Sequence, residues 1–212
     1  MKQNEIQDEL TSIRSMMERS SKFISLSGLS GVLAGIYALI GAGLAYSIIY
    51  GSGGFYNYRE YVITDQGRSA ADLYTLILIA LVVLIASVAT CVVLTMRNAK
   101  KKNQPMWGNS SRQILFNMAV PLIAGGALIL ILISRGYVGI VASATLIFYG
   151  LALINASNFT FKDVKYLGIC EIVLGLFAAL LPGYGLLFWA VGFGILHIVY
   201  GSIMYLKYDS KS

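Results

Sequence analysis

LYTLILIALVVLIASVATCVVLTM, residues 73–96, runs for 24 positions without one charged side chain, and its length decides how the rest of the chain is read. A helix rises 1.5 Å per residue, so about 20 residues cross a hydrocarbon core about 30 Å thick. A segment in lipid must also satisfy its own backbone hydrogen bonds, which a helix does within itself. Working outward, comparable apolar runs occupy 23–50, 113–134, 137–157, 166–181 and 184–206, beside the 71–96 segment quoted in part above. The composition agrees: 57% hydrophobic against 12% charged residues, with a mean hydropathy of +0.72. That much apolar surface does not fit inside one water-soluble domain of 23.0 kDa. The expected fold is all-α, a polytopic six-helix transmembrane bundle over 23–206, between an N-terminal segment 1–22 and a tail 207–212. The run at 166–181 is short for a span, so its flanking residues are expected to snorkel.

Charge sets the expected orientation. Lys2, Arg14, Arg19, Lys22, Arg97, Lys100, Lys101, Lys102, Arg112, Lys162, Lys165, Lys207 and Lys211 fall on one side of the six spans, and only Arg59, Arg68 and Arg135 on the other. The positive-inside rule then places both termini in the cytoplasm, with the chain in the cell (inner) membrane. The net charge of +6 reads as a topology signal and an affinity for anionic lipid headgroups, strongest at Lys100, Lys101 and Lys102, and not as a nucleic-acid footprint. Residues 1–22 are too charged to open a cleavable signal peptide, so the first span is expected to be an uncleaved anchor. Within them Ile6, Leu10, Ile13 and Met17 recur at helical spacing. This predicts a cytoplasmic amphipathic helix lying on the bilayer, on the bundle or on a partner.

Two patterns speak to packing. Ser27, Gly31 and Gly35 form a small-residue ridge that lets another backbone approach, either within the bundle or in a second copy of the chain. Similar phrases also open alternate spans: Ala34-Gly35-Ile36-Tyr37-Ala38-Leu39, Gly125-Gly126-Ala127-Leu128-Ile129-Leu130 and Leu174-Gly175-Leu176-Phe177-Ala178-Ala179. They suggest three tandem helical hairpins of one orientation. The last hairpin, 167–205, contains Gly175-Leu176-Phe177-Ala178-Ala179-Leu180-Leu181-Pro182-Gly183-Tyr184-Gly185, followed by Gly192, Gly194 and Gly201. It resembles the repeated hairpin of the six-helix acid-resistance membrane proteins of the HdeD type. The resemblance covers about 40 residues and implies a compact bundle with a stress-related role. It carries over no site residue. The first hairpin departs from the pattern in its long loop, and the second has Ser134-Arg135-Gly136 at its turn.

The sequence excludes more chemistry than it offers. One histidine cannot supply both axial ligands of a b-type haem, no lysine lies inside a span to form a Schiff base, and neither a phosphate-loop motif nor a zinc-protease helix is present. No cofactor, resident metal or enzymatic activity is expected. Around Tyr46, Tyr50, Phe55, Tyr56, Tyr58 and Tyr61 an interfacial aromatic belt is expected at the outer surface. Within the spans the ionisable residues are Glu171 and His197. Counted back from the turn at 182–183 they lie at nearly the same depth, about 3 Å apart. An unpaired carboxyl or imidazole there costs several kcal/mol, so the two are expected to meet and share a hydrogen bond. Asn155, Cys91 and Cys170 are candidate cavity-lining residues at similar levels, the cysteines as free thiols.

Two classes of function fit these residues. The first is a structural, regulatory or stress-related membrane protein acting on a partner, on lipid or on its own copies. The second is a small transporter or proton-coupled channel built on Glu171 and His197, which requires a polar route through the bundle.

Overall fold

The computed structural model describes residues 26–50, 70–101, 107–181 and 183–210. The expected amphipathic helix in 1–22, the aromatic loop with Phe55, Tyr56, Tyr58 and Tyr61, and Lys102 lie outside the described residues. Those described are helical throughout, joined by short turns. The helices are α1 (Gly28–Tyr50), α2 (Ala70–Lys101), α3 (Asn109–Ser134), α4 (Val141–Ser157, entered through a tight turn at Val138–Ile140), α5 (Asp163–Leu180) and α6 (Gly185–Asp209). Five are long and apolar enough to cross a membrane. The exception is α5, whose 18 residues carry the charges of Asp163, Lys165 and Glu171. The first two stand in its opening turn, ahead of the apolar run that the sequence marks at 166–181. Two ends shift from expectation: α2 runs on through Lys101, and α6 continues through Asp209, so 207–209 is helix and not tail.

Glycines set the turns where the chain reverses. Gly136 takes φ 81° and Gly183 φ 102°, left-handed conformations that cost a Cβ-free residue little. At the first, Tyr137 N donates to Leu132 O at 2.8 Å and Gly136 N to Ile133 O at 3.1 Å. This pair of bonds satisfies the last carbonyls of α3 and turns the chain directly into α4.

The neighbours of each helix follow a different order from three hairpins packed as pairs. α1 packs on α2 and α3 on α4, but α5 packs chiefly on α4, while α6 packs chiefly on α1. Glycine crossings explain both choices. A Cβ at Gly150 would stand 2.5 Å from Gly168 O, and one at Gly168 would stand 2.7 Å from Gly150 O, so α4 and α5 meet backbone to backbone. At the second crossing a Cβ on Gly28 would fall 2.6 Å from Gly201 O, and one on Gly201 2.7 Å from Gly28 O. Along the same line a Cβ on Gly31 would stand 3.2 Å from Gly201 Cα and one on Gly35 2.6 Å from Gly194 O. The Ser27, Gly31, Gly35 ridge is therefore an internal contact, between α1 and α6. Close backbone approach multiplies weak dispersion contacts, which are the main attraction between helices where the surroundings are as apolar as the side chains.

α2 and α3 stand at the outside. In their most apolar 18-residue windows 0% and 6% of residues are buried, and Leu78, Ile85, Phe116, Ile123 and Leu130 are turned outward. The buried interior lies among α4, α5 and α6, where Leu153, Phe161, Val164, Leu167 and Met204 form one apolar cluster.

Candidate functional site

On α5 the buried residues are Val164, Leu167, Gly168, Glu171, Gly175 and Ala178. Apart from the adjacent pair Leu167 and Gly168 they recur every three or four residues, the spacing of one helix face, which places a carboxyl in the middle of an otherwise apolar stripe. α4 meets that stripe with Ser143, Leu146, Gly150 and Leu153. Leu146, Glu171 and Ser143 are the largest side chains wholly withdrawn from the surface. Ser143 Oγ donates to Gly175 O at 2.6 Å, which fixes α4 against α5 one turn above the carboxyl.

α6 completes the centre through a local change of winding. Between Ala190 and Leu196 its turns widen to the π form, a feature often found at functional sites because it redirects one side chain and loosens the carbonyl ladder. Gly192 lies in that segment. A Cβ there would come 2.5 Å from Glu171 Oε2 and 2.6 Å from Leu146 Cδ2, so the missing side chain is the space that the carboxyl occupies. His197 follows directly, 7% exposed. Its Nδ1 lies 3.0 Å from Gly192 O, and because a carbonyl only accepts, Nδ1 carries the hydrogen. The other nitrogen, Nε2, is 2.8 Å from Tyr149 Oη of α4. In the neutral imidazole the phenol donates to Nε2; in the imidazolium Nε2–H donates to the phenol oxygen.

Glu171 and His197 are neighbours, with Nδ1 3.4 Å from Oε1, but the hydrogen bond expected between them is not made. The widened turn brings the Gly192 carbonyl beneath the ring, and it takes the Nδ1 hydrogen at the shorter distance. Both carboxyl oxygens are enclosed and neither receives a hydrogen bond among the described residues. A lone carboxylate at 0% exposure is costly, so the site holds either a protonated carboxyl beside a neutral imidazole or a carboxylate facing an imidazolium. Tyr149, His197 and Glu171 thus form a contiguous line in which one proton has two places to reside. Phe193 flanks it, its ring centroid 5.0 Å from Tyr149 and 5.9 Å from His197.

The other candidates fall elsewhere. Asn155 is exposed on α4, one residue off the face that meets α5, and lines no part of the centre. Cys170 is exposed as well, since one step along a helix turns a side chain about 100° away from the Glu171 stripe. Cys91 of α2 is half-buried and accepts a long contact from Ser30 Oγ at 3.7 Å, against α1. The two thiols, Glu171 and His197 therefore do not gather. Ser27 sits at the start of α1, its Oγ 3.3 Å from Asp209 Oδ2. Lys100 and Lys101 are exposed at the end of α2.

Sequence reasoning did not single out Tyr149 or the role of Gly192. Tyr149 is one of 14 tyrosines, and only the α4 face it shares with Leu146 and Leu153 marks it. It also passed over Asp209. This carboxylate accepts from Gly28 N at 2.8 Å, from Ser27 Oγ and from Asn98 Nδ2 at 3.0 Å, tying the start of α1 and the end of α2 to the end of α6. Beside it Asp163 accepts from Lys207 Nζ at 2.8 Å and Tyr208 Oη at 2.6 Å, while Tyr208 stacks on Phe161 at 4.0 Å. Partial burial alone would raise the Asp163 pKa, but the two hydrogen bonds and the Lys207 charge outweigh it and hold the carboxyl below its ordinary value.

No family model, curated protein or solved structure matches this chain.

Proposed function

We propose that this chain is a non-enzymatic, six-span integral membrane protein of the cell membrane, both termini cytoplasmic, that acts in a regulatory or stress-related role through association with lipid, a membrane partner or its own copies. Five helices of sufficient length and apolarity support the insertion. The distribution of Lys and Arg supports the orientation, and the outward apolar faces of α2 and α3 supply a surface for association. α5 enters as the sixth span because its two end charges can reach the headgroups and its third, Glu171, is shielded by α4 and α6.

One observation carries the choice of an association role over transport: Glu171, the deepest ionisable group, is 0% exposed. A channel or carrier at work on this residue needs a water-filled approach to it. In the closed packing the Glu171–His197–Tyr149 line is instead a polar clasp joining α4, α5 and α6, whose protonation adjusts how firmly they hold. A proton-coupled carrier is the second reading, favoured by the unbonded carboxyl oxygens beside an imidazole and realised only if the bundle opens on both sides in turn.

Reconstitution separates the two. Liposomes containing the protein and an internal pH indicator are expected to dissipate an imposed pH gradient no faster than empty ones. A flux that Glu171→Gln abolishes would overturn the association role in favour of the carrier. The topology is checked apart from this, with single cysteines at Ser52 and Asn103 in a background lacking Cys91 and Cys170. They are expected to label from opposite faces of the membrane, and labelling of both from outside intact cells would overturn the orientation.

A further inference from the structure

The turn between α4 and α5 borders a half-open hollow of about 380 Å³ lined by Ser157, Asn158, Lys162, Lys165 and Tyr166, whose lining does not include Glu171 or His197. This is the small end of the range for ligand sites, about 300–1,000 Å³. Its charge is one-sided. The side chains of Lys162 and Lys165 are both exposed and form no ion pair or hydrogen bond among the described residues. The acidic side chain nearest in sequence, Asp163, does not neutralise them, because its carboxylate is turned toward α6, where Lys207 and Tyr208 hold it. The Asn158 amide makes only a long contact, 3.4 Å, to Asn155 O, and Tyr166 places a phenol on the same rim, 62% exposed.

We infer that this hollow binds a phosphate group. Two ammonium groups, an amide and a phenol offer donors of the kind a tetrahedral oxyanion accepts, with no carboxylate among them. Two sources carry the same chemistry: the headgroup of an acidic phospholipid and a soluble phosphate. The site lies at a helix end beside the apolar run, where lysine stems lie along the hydrocarbon boundary and tyrosine sits at headgroup level. Basic pockets between helices on the cytoplasmic side are a known manner of holding acidic headgroups. The lipid arm of the inference rests on the membrane reading given above; the soluble arm does not. Lys100 and Lys101 do not line the hollow.

Native mass spectrometry of the full chain in neutral detergent tests this, titrating phosphatidylglycerol, phosphatidylcholine and inorganic phosphate in separate series. The wild type is expected to take phosphatidylglycerol in preference to phosphatidylcholine, and Lys162→Gln/Lys165→Gln is expected to weaken that binding about 30-fold. Lys162→Arg/Lys165→Arg is expected to keep it. Binding of inorganic phosphate that the Gln pair removes, without lipid preference, would assign the soluble source. Equal binding of every ligand by wild type and the Gln pair would overturn the site. Because both lysines are exposed, the Gln pair should melt with the wild type, and a matching thermal transition confirms that the loss is one of binding. Failure here leaves the Glu171 flux result untouched, and a positive flux result leaves this site intact.

Discussion

α5 carries two carboxylates eight residues apart, about 12 Å along the helix, and the bundle treats them in opposite ways. Asp163, at the helix start, receives hydrogen bonds from Lys207 and Tyr208 and keeps partial contact with solvent. Glu171 is sealed, receives none among the described residues, and faces an imidazole whose hydrogen goes to a backbone carbonyl. A carboxylate supplied with donors is an ionised strut: it holds elements in place and resists protonation. One buried beside a titratable ring without donors gains little from being ionised alone, so its charge is set together with that of the ring. Asp209 also fastens elements together, since it accepts from Gly28 N at the opening of α1 and from the Asn98 amide. The difference teaches that the end of α6 fastens the fold, whereas the middle of α6 holds a group whose charge depends on its surroundings.

The most disruptive test fills the space that the centre needs. Gly192→Leu drives side-chain atoms into the positions of Glu171 Oε2 and Leu146 Cδ2, and a loss of about 2–3 kcal/mol is expected in detergent unfolding. Placed on Glu171→Ala, which vacates part of that space, the same substitution should cost at least about 1 kcal/mol less. Strict additivity in this cycle would show that the carboxyl does not occupy the glycine's space. Next in size is Asp209→Ala, which strands the donors of Gly28, Ser27 and Asn98 and is expected to remove about 2 kcal/mol. A wild-type melting temperature for that variant would mean that the strut is ornamental.

A smaller effect is expected at Asp163. Its folded pKa lies below the ordinary value of 3.8, so its contribution is complete above that value and is lost as the pH falls through it toward the lower folded value. Asp163→Asn should therefore flatten the acid limb of the stability curve below about pH 4 and lower stability at neutral pH by the same amount, a small one because solvent screens the pair. An unchanged acid limb would remove Asp163 from the fastening. The smallest change in stability belongs to Glu171→Gln, a near-isosteric neutral replacement expected to stay within about 1 kcal/mol of the wild type. It should nevertheless abolish any pH dependence of packing that His197→Gln also abolishes between about pH 5 and 8. Persistence of such a dependence in both variants would place the responsive group elsewhere.

Much of this molecule is legible in one dimension. Uninterrupted apolar length marks five helices at once, and Pro182-Gly183 and Arg135-Gly136 mark two of the reversals. Helical rise alone places Glu171 and His197 at one depth, where the structure brings them to 3.4 Å. Facing is much less legible. Helices that are apolar nearly all round carry no polar side to say which face turns inward, so Asn155 and Cys170 read as interior candidates although both are exposed. The line of small residues on α1 is visible as a ridge, but nothing in it names its mate.

By itself the sequence determined an all-helical chain of long apolar segments, because length and hydropathy are sums along the chain. It also determined which two ionisable groups share one level along α5 and α6, because rise per residue is constant. Only the tertiary structure decided that α6 leaves α5 to cross α1 at Gly28 and Gly201, that Tyr149 is the imidazole's partner, that Gly192 makes room for the carboxyl, and that Asp209 closes the bundle 181 residues from the amide it caps. Each of these depends on backbones approaching to van der Waals contact and on which groups then come within hydrogen-bond reach, and shape complementarity between surfaces has no counterpart in the order of residues along one strand of chain.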